Sequence, residues 1–180
     1  MIEAEILKIR FRCGSRAALE RIYDKYQNDL LTLAMALVNH SHTAEDVLHD
    51  VFVRLAESRH TFRVQGNLKS YLVTCVLNRA RDALRRRKHR DAFSPEQAST
   101  DAGQTDPLED VMCDEQSRQV NQALETLPYE QREAVVLHLK ADLPFKEIAR
   151  MQEVPVRTAQ GRCRYGLEKL QSMLIRETVP

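Results

Sequence analysis

Residues 67–90 combine the side chains that a nucleic-acid surface needs. Thr74, Asn78, Arg81 and Arg85 recur at helical spacing and so form one line along a helix. Hydroxyl, amide and guanidinium groups donate hydrogen bonds to phosphates and base edges. The line therefore indicates nucleic-acid binding; the alternative is a solvated helix end, where cations suit the helix dipole. A separate apolar stripe should face a core and consists of Leu68, Leu72, Cys75, Val76, Ala80 and Ala83.

A second polar face is predicted near the C-terminus, where the sequence reads as two helices joined by a tight turn. Pro144 suits the first turn of one helix, and Pro155 begins the next. This outline is typical of a helix-turn-helix, whose second helix meets base edges in the major groove. An ordinary helical hairpin is the alternative. Arginine pairs with guanine and glutamine with adenine, so the outward polar residues of the second helix are candidate base readers. They are Arg157, Thr158, Gln160, Arg162 and Arg164.

An acidic face is predicted on a helix that begins at Ala44, where Thr43 and Asp46 form a capping box. Such a face is either merely solvated or a docking surface for a basic partner. The buried side of this helix should contain Val47, Leu48, Val51, Phe52 and Leu55. The outer side should contain Glu45, Asp46, His49, Asp50 and Arg54.

A loop over residues 58–66 follows, with Arg59, Phe62 and Arg63 as its notable side chains. Phe62 is interpreted either as a lid on the core or as a platform on which a base stacks. Arg79 falls on the apolar side of the next helix, so it should reach the edge of the core or pair with another group.

Long helices are expected to position these faces. A hydrophobic fraction of 43% and an aromatic fraction of 6%, with only 5 Gly, indicate an all-α protein. A first helix is predicted over residues 3–12, with Ile6, Leu7 and Phe11 on one side. Ser15 should cap a second helix, whose inner positions include Tyr23.

The charges are distributed unevenly, although the formal net charge is only +1. From residue 91 to residue 117 there are eight acids and no lysine or arginine, which leaves 27 bases against 18 acids elsewhere. The sequence therefore predicts two small helical domains, an N-terminal helical bundle over 1–90 and a C-terminal helix-turn-helix over 111–180. A flexible acidic linker over 91–110 should join them.

Several functional classes are disfavoured. No nucleophile–base pairing, glycine-rich phosphate loop or metal-ligand spacing stands out, so we expect neither an enzyme nor a bound metal or cofactor. The four cysteines are far apart, which argues against a disulfide framework. We see no signal segment and no apolar run of membrane-spanning length, so we expect a cytoplasmic protein without membrane insertion.

Taken together, the two motif sets resemble a bacterial RNA polymerase sigma factor of the extracytoplasmic-function (ECF) group. Residues 44–52 resemble the family's polymerase-binding helix, and residues 68–87 its promoter-melting helix. Residues 124–139 and 145–164 are similar to the unit that reads the upstream promoter element. The resemblance covers nearly the whole chain apart from the linker.

The resemblance implies promoter DNA and core RNA polymerase as partners, and members of this group are usually held by an inhibitory anti-sigma partner. It implies that polymerase is bound by Glu45, Asp46, Leu48, His49, Asp50 and Phe52. It implies that the downstream promoter element is contacted by Arg59, Phe62, Arg63, Thr74, Asn78, Arg81, Asp82 and Arg85. The upstream element would be read by Arg157, Thr158, Gln160, Arg162 and Arg164.

The sequence departs from the family pattern at several of these positions. Thr43 and His49 stand where the family usually has Asp and Gln, and Tyr71 where it often has Trp. Arg157 replaces a common Gly, and residues 160–161 replace a common Lys–Ser pair, so the upstream sequence that is read should differ from the family's usual one. Two other classes stay open: a helix-turn-helix regulator that acts without polymerase, and a protein-only adaptor with no promoter function.

Overall fold

The chain folds into α-helices. The computed structural model describes residues 2–60, 62, 64, 66–93 and 115–178, and within these residues there are eight α-helices and no strand. The all-α prediction is confirmed for this part of the chain. The helices are α1 (Ile2–Arg12), α2 (Arg16–Val38), α3 (Ser41–Glu57), α4 (Leu68–Phe93), α5 (Glu115–Glu125), α6 (Tyr129–Leu139), α7 (Phe145–Met151) and α8 (Val156–Thr178). A short 3-10 turn, Ser58–His60, follows α3.

The chain divides into two compact units, Met1–Arg81 and Asp82–Pro180. This division falls inside α4, whereas the predicted first domain ends at residue 90. The helix continues to Phe93, three residues into the predicted linker. The rest of the predicted linker, 94–110, lies outside the described residues, and the domain boundaries therefore stay a prediction.

The core of the first unit is formed by apolar faces of its helices. All five residues of the predicted inner face of α3 are buried. On α4, the positions predicted to face the core differ in depth, since Cys75 and Ala83 are only half-buried. The fully buried members of the α4 stripe, each at 0% exposure, are Leu68, Leu72, Val76 and Ala80. Burying one Leu or Val side chain contributes about 1.5–3 kcal/mol relative to exposure, so this stripe determines which side of α4 faces outward.

The first two helices follow the predicted pattern in part. Ser15 caps α2 as predicted, because its hydroxyl accepts a backbone N–H three residues further on at 3.3 Å. Leu7 and Phe11 are buried at 3% exposure each. Ile6 and Tyr23, also predicted to lie inside, are 45% and 40% exposed. The inner face of α1 is therefore narrower than its apolar composition suggests.

The predicted capping box of Thr43 and Asp46 is wrong, because α3 begins three residues earlier, at Ser41. His40 is the N-cap, and its ring Nδ1 accepts the backbone N–H of Thr43 at 3.4 Å. Asn39 ends α2 in the left-handed conformation, with φ of 50°. The connection between the two helices is therefore only two residues long, which leaves His40 as the residue in position to cap α3.

A buried lysine joins α1 to the segment that precedes α4. Lys8 is 8% exposed, and its ammonium donates to the carbonyl oxygen of Gly66 at 2.7 Å. It also pairs with Glu5 at 2.6 Å. Removing an ammonium group from water costs several kcal/mol, so both partners are needed to offset the burial. Lys8 therefore fixes the backbone at Gly66 against α1.

The second unit contains the predicted helix-turn-helix, with α7 and α8 joined by a tight turn. The helix starts predicted at Pro144 and Pro155 are confirmed to within one residue. Pro128 precedes α6 in the same way, and each of the three proline carbonyls accepts backbone N–H groups three and four residues further on. Proline suits a helix start because it has no N–H that would stay unsatisfied there. Within the turn, Glu153 adopts a left-handed conformation with φ of 54°.

Gly166 lies where α8 packs against α6. A Cβ atom added at Gly166 would lie only 2.7 Å from Cγ2 of the buried Val135. Helical spacing predicts that Leu167 packs inward, but it is 37% exposed, so this prediction is wrong. Leu139, an apolar position of α6, is 59% exposed. Buried apolar positions of α5 to α8 and of the segment before α6 include Ala123, Leu124, Leu127, Ala134, Val135, Leu137, Ile148, Ala149, Met151, Ala159, Cys163 and Leu170.

The two glycines of α8 form a matched pair for testing this packing. We expect Gly166→Ala to lower the free energy of unfolding by about 1–3 kcal/mol, because the new methyl group overlaps a buried side chain. A Cβ at Gly161 meets nothing closer than Tyr165 Cε2 at 3.9 Å. We expect Gly161→Ala to raise the same free energy by up to about 1 kcal/mol through helix propensity. Denaturant unfolding followed by circular dichroism measures both, and a shift in the same direction for the two variants would contradict this packing.

Candidate nucleic-acid and partner interfaces

The polar residues predicted on α8 lie on the outside of its N-terminal half. Ala159 and Cys163 face the core at 0% and 2% exposure, which turns the intervening side chains outward. Arg162 is half-buried and donates to the side chain of Gln152 in the turn at 3.0 Å. The remaining predicted readers are exposed, and they are Arg157, Thr158, Gln160 and Arg164. With Gly161, all five predicted side chains line one groove.

Two further residues line this groove, Gln131 from α6 and Tyr165 from α8. Tyr165 is 54% exposed, and the guanidinium carbon of Arg164 lies 4.9 Å from its ring centroid. Neither residue was predicted from the sequence. Helical spacing was a usable signal for Tyr165, which follows Gly161 by one turn. Gln131 has no comparable signal, because a different helix supplies it.

The predicted line along α4 is only partly presented to solvent. Asn78 and Arg85 are exposed, whereas Thr74 and Arg81 are half-buried. The Thr74 hydroxyl donates to the backbone carbonyl one turn earlier at 2.8 Å. Arg85 donates to the carboxylate of Asp82 at 3.0 Å. Asn78 and Arg85 are therefore the members of the line best placed to meet a nucleic acid.

Phe62 is part of the core. It is 5% exposed, and its ring packs edge-on against Phe11 and Tyr71, with centroids 5.0 and 5.7 Å apart. These contacts favour the lid interpretation, and contact of Phe62 with promoter DNA stays a prediction. Arg59 is exposed in the 3-10 turn, and Arg63 lies outside the described residues.

The outer face of α3 is acidic as predicted, with Glu45, Asp46 and His49 exposed. Leu48 and Phe52, which the resemblance included among the polymerase-binding residues, are only 7% and 8% exposed. Both side chains pack in the core beneath the acidic face, and polymerase binding by these two residues stays a prediction.

Asp50 lies at the edge of this acidic face and is already paired. Its Oδ2 accepts a hydrogen bond from Arg79 Nη2 at 2.7 Å, and the Arg79 side chain is 14% exposed. The prediction that Arg79 would reach an edge or pair with another group is confirmed. Val53 lies one turn after His49, is 40% exposed and adds an apolar patch to this face. The prediction of the face considered only charged residues and did not include Val53.

The thiols of α4 and α8 are protected from ionisation. Burial raises the pKa of the Cys75 thiol and of the Cys163 thiol, so both stay protonated near neutral pH. Burial, with the neighbouring Cys75 thiol, raises the pKa of Tyr71 to about 12. Within the described part of the chain, no three His, Cys, Asp or Glu side chains are grouped so as to hold a metal ion. None of the helices described combines the length and apolar character required to span a bilayer.

Known proteins match both halves of the chain. Residues 22–90 match the family described as Sigma-70 region 2, and residues 117–170 match Sigma-70, region 4. The RNA polymerase sigma factor CarQ of Myxococcus xanthus is 31% identical over 166 residues, covering 92% of this chain and 94% of that protein. The ECF RNA polymerase sigma factor SigW of Bacillus subtilis is 25% identical, with 97% of each chain covered.

Solved structures share the helical fold. CnrH, in complex with the cytosolic domain of CnrY, gives a TM-score of 0.73 at 19% identity and covers 98% of this chain and 99% of CnrH. RpoE of Bartonella quintana, in complex with the anti-sigma factor NepR, gives a TM-score of 0.63 at 19% identity, covering 86% of this chain and 97% of RpoE. Since both sigma regions occur in order and relatives match over nearly their full length, this chain belongs to the RNA polymerase sigma factors of the ECF group and directs promoter-specific transcription.

Proposed function

We propose that this sigma factor divides its work among faces on three helices. The acidic face of α3 binds core RNA polymerase, α4 engages the downstream promoter element and assists strand opening, and α8 reads the upstream element. The observation that carries the proposal is that polar side chains of each predicted set lie outward on a helix whose opposite side is buried. The protein acts in the cytoplasm and catalyses no step itself, because the polymerase performs the reaction.

On α3, Glu45 and Asp46 present two exposed carboxylates to a basic surface of the polymerase. Complementary charge accelerates association and fixes orientation more than it adds affinity. Val53 supplies apolar area beside these charges. Asp50, held by Arg79 at 2.7 Å, keeps the edge of this face in place against α4.

On α4, Asn78 contacts bases of the downstream element, and Arg85 contacts the backbone. The Arg85 side chain is 74% exposed, and its bond to Asp82 is a surface ion pair. Such pairs contribute about 0–1 kcal/mol, so Arg85 can exchange Asp82 for a phosphate at little cost. The exposed cations that follow add attraction independent of sequence, and they are Arg86, Lys88 and Arg90.

On α8, the arginines and Gln160 contact base edges and phosphates of the upstream element in the major groove. Tyr165 and Gln131, which complete the groove, add contacts at its border. The protein groove lies on the N-terminal half of α8, the second helix of the helix-turn-helix. In this class of protein, that half of the second helix enters the major groove of DNA, which supports the proposal.

An inhibitory partner is proposed as well, because RpoE of Bartonella quintana was solved in complex with the anti-sigma factor NepR.

For the acidic linker two roles stay open. It either serves as a plain tether or uses its acids to occupy a basic surface, on the polymerase or on this protein's own DNA-binding faces. If neutralising those acids changed neither DNA binding by the free protein nor initial transcription, the linker would be only a tether.

A polymerase-independent regulator is the alternative function. Such a protein would bind duplex promoter DNA tightly by itself and would not need the face on α3. A protein-only adaptor would show no salt-dependent affinity for DNA. Co-purification with core polymerase distinguishes the proposed function from the polymerase-independent regulator. Promoter-dependent transcription distinguishes it from the protein-only adaptor.

Reversing one charge on α3 tests the docking face. We expect Asp46→Lys to raise the Kd for core polymerase about tenfold or more, because attraction becomes repulsion in a complementary interface. Asp24→Lys, the same charge change at an exposed position of α2, is the control and should have a much smaller effect. Fluorescence anisotropy of labelled protein gives both Kd values, and the gap between them should narrow at high salt. An equal loss for the two variants would assign the effect to net charge and contradict docking through α3.

Truncating one side chain on each DNA-binding helix tests promoter recognition. Asn78→Ala and Arg162→Ala should each reduce run-off transcription from a cognate promoter about fivefold or more, since a good side-chain contact to a base contributes about 1–3 kcal/mol. Lys140→Ala removes an exposed cation outside the proposed faces and should retain most activity. Wild-type transcription by a variant carrying both Asn78→Ala and Arg162→Ala would refute the proposed roles of α4 and α8.

A further inference from the structure

We propose that Gln152 is a positioning residue that orients the guanidinium of Arg162 for reading one base pair of the upstream promoter element. This inference rests on the proposed function of α8. Gln152 is the C-cap of α7 and lies in the turn, outside the set of residues that face the groove. Its side chain nevertheless reaches the one proposed reader on α8 that is half-buried.

Gln152 is held at three points. Its backbone N–H donates to the Ile148 carbonyl at 2.9 Å, which closes the last turn of α7. Its side-chain Nε2 donates to the Glu130 carbonyl of α6 at 3.0 Å. Its Oε1 accepts from Arg162 Nη1 of α8 at 3.0 Å. The amide can satisfy both side-chain partners in only one orientation, because one end donates and the other accepts. The position of the accepting oxygen is therefore set by the end of α7 and by α6, independently of α8.

This arrangement matters for Arg162 because free arginine side chains sample many rotamers. Fixing a rotamer-rich side chain on binding typically costs about 0.5–1.5 kcal/mol. A guanidinium has five N–H donors in a planar fork, so one bond to Gln152 leaves other donors for a bidentate contact with guanine. A guanidinium whose plane is already fixed binds its preferred base at a lower entropic cost. It also fits other bases less well, because it cannot reorient freely.

The other two arginines of the set are placed differently. Arg157 and Arg164 are exposed, and Arg164 lies 3.7 Å from Glu168, one turn further along α8. Within the described residues, neither arginine side chain donates a hydrogen bond to the turn between α7 and α8. The structure therefore distinguishes Arg162, which is oriented before DNA arrives, from arginines suited to less selective backbone contact.

A purely structural role for Gln152 would have a different signature. If Gln152 only held the turn together, its loss would weaken binding to all promoter sequences alike. If it orients Arg162, its loss should reduce discrimination at the base pair that depends on Arg162 and leave the preferences at other positions. The pattern of base preference therefore separates the two roles, whereas affinity alone does not.

Two substitutions at Gln152 sharpen this comparison. Gln152→Leu keeps similar bulk but removes the acceptor for Arg162 and the donor to Glu130. Gln152→Glu removes the donor to Glu130 but keeps an acceptor for Arg162. The ion pair with Arg162 is stronger than the neutral bond, which offsets the lost anchor on α6. Positioning therefore predicts that Gln152→Glu retains the discrimination that Gln152→Leu loses, even if its added negative charge weakens binding to every sequence alike.

The experiment uses the full chain with core polymerase and a cognate promoter in which each upstream base pair is replaced in turn. Competitive transcription gives the relative use of each template. Arg162→Ala should flatten the preference at one base pair by about tenfold. Gln152→Leu should reduce the preference at that same base pair by about threefold to tenfold, and Gln152→Glu should leave it within about twofold of wild type. Thermal unfolding of each variant, with Lys140→Ala as the control, shows whether the second unit stays folded.

The outcomes are distinct. An unchanged preference in Gln152→Leu, alongside a flattened one in Arg162→Ala, overturns the positioning role while the proposed function of α8 stands. A uniform loss at all base pairs in Gln152→Leu also overturns it, in favour of a structural role. If Arg162→Ala changes no preference, base reading by Arg162 fails, and the role of Gln152 fails with it.

Discussion

The buried stripe of α4 is the constraint on which the first unit depends. Leu68, Leu72, Val76 and Ala80 have no exposed surface, and they recur every four residues along the helix. Rotating the helix to expose these side chains would cost several kcal/mol, because their apolar surface would be transferred to water. The direction in which Asn78 points is thus a result of core packing.

Local rules predicted much of the fold because they depend on residues close in sequence. Ser15 is one example, because a serine just before a run of apolar residues at helical spacing predicts a helix N-cap. The inner face of α3 is another, because apolar residues that recur every three to four positions predict the buried side of a helix. The start of α3 was mispredicted because two local candidates competed. Thr43 and Asp46 fit a capping pattern, but the short connection from α2 placed His40 at the cap. Imidazole is not among the favoured capping groups, so composition alone disfavours it.

The parts of the candidate site that sequence did not predict depend on contacts between helices. The bond from Arg162 to Gln152 joins residues on separate helices, as does the pair of Asp50 and Arg79. Periodicity places a side chain on a face of its own helix, but it does not say which neighbour covers that face. Leu139 shows the same limit, because it is an apolar position of α6 and is nevertheless 59% exposed.

The contacts of Lys8 affect how an N-terminally truncated form of this sigma factor would behave. The match to Sigma-70 region 2 begins at residue 22, so homology alone would advise cutting away α1. That cut removes the ammonium group bonded to Gly66 and the Phe11 ring packed on Phe62. A fragment that begins at residue 22 would keep most of α2 together with α3 and α4, but the segment that leads into α4 would lose its contacts with α1. Its promoter-opening behaviour would then report on the missing helix as much as on the helices that remain.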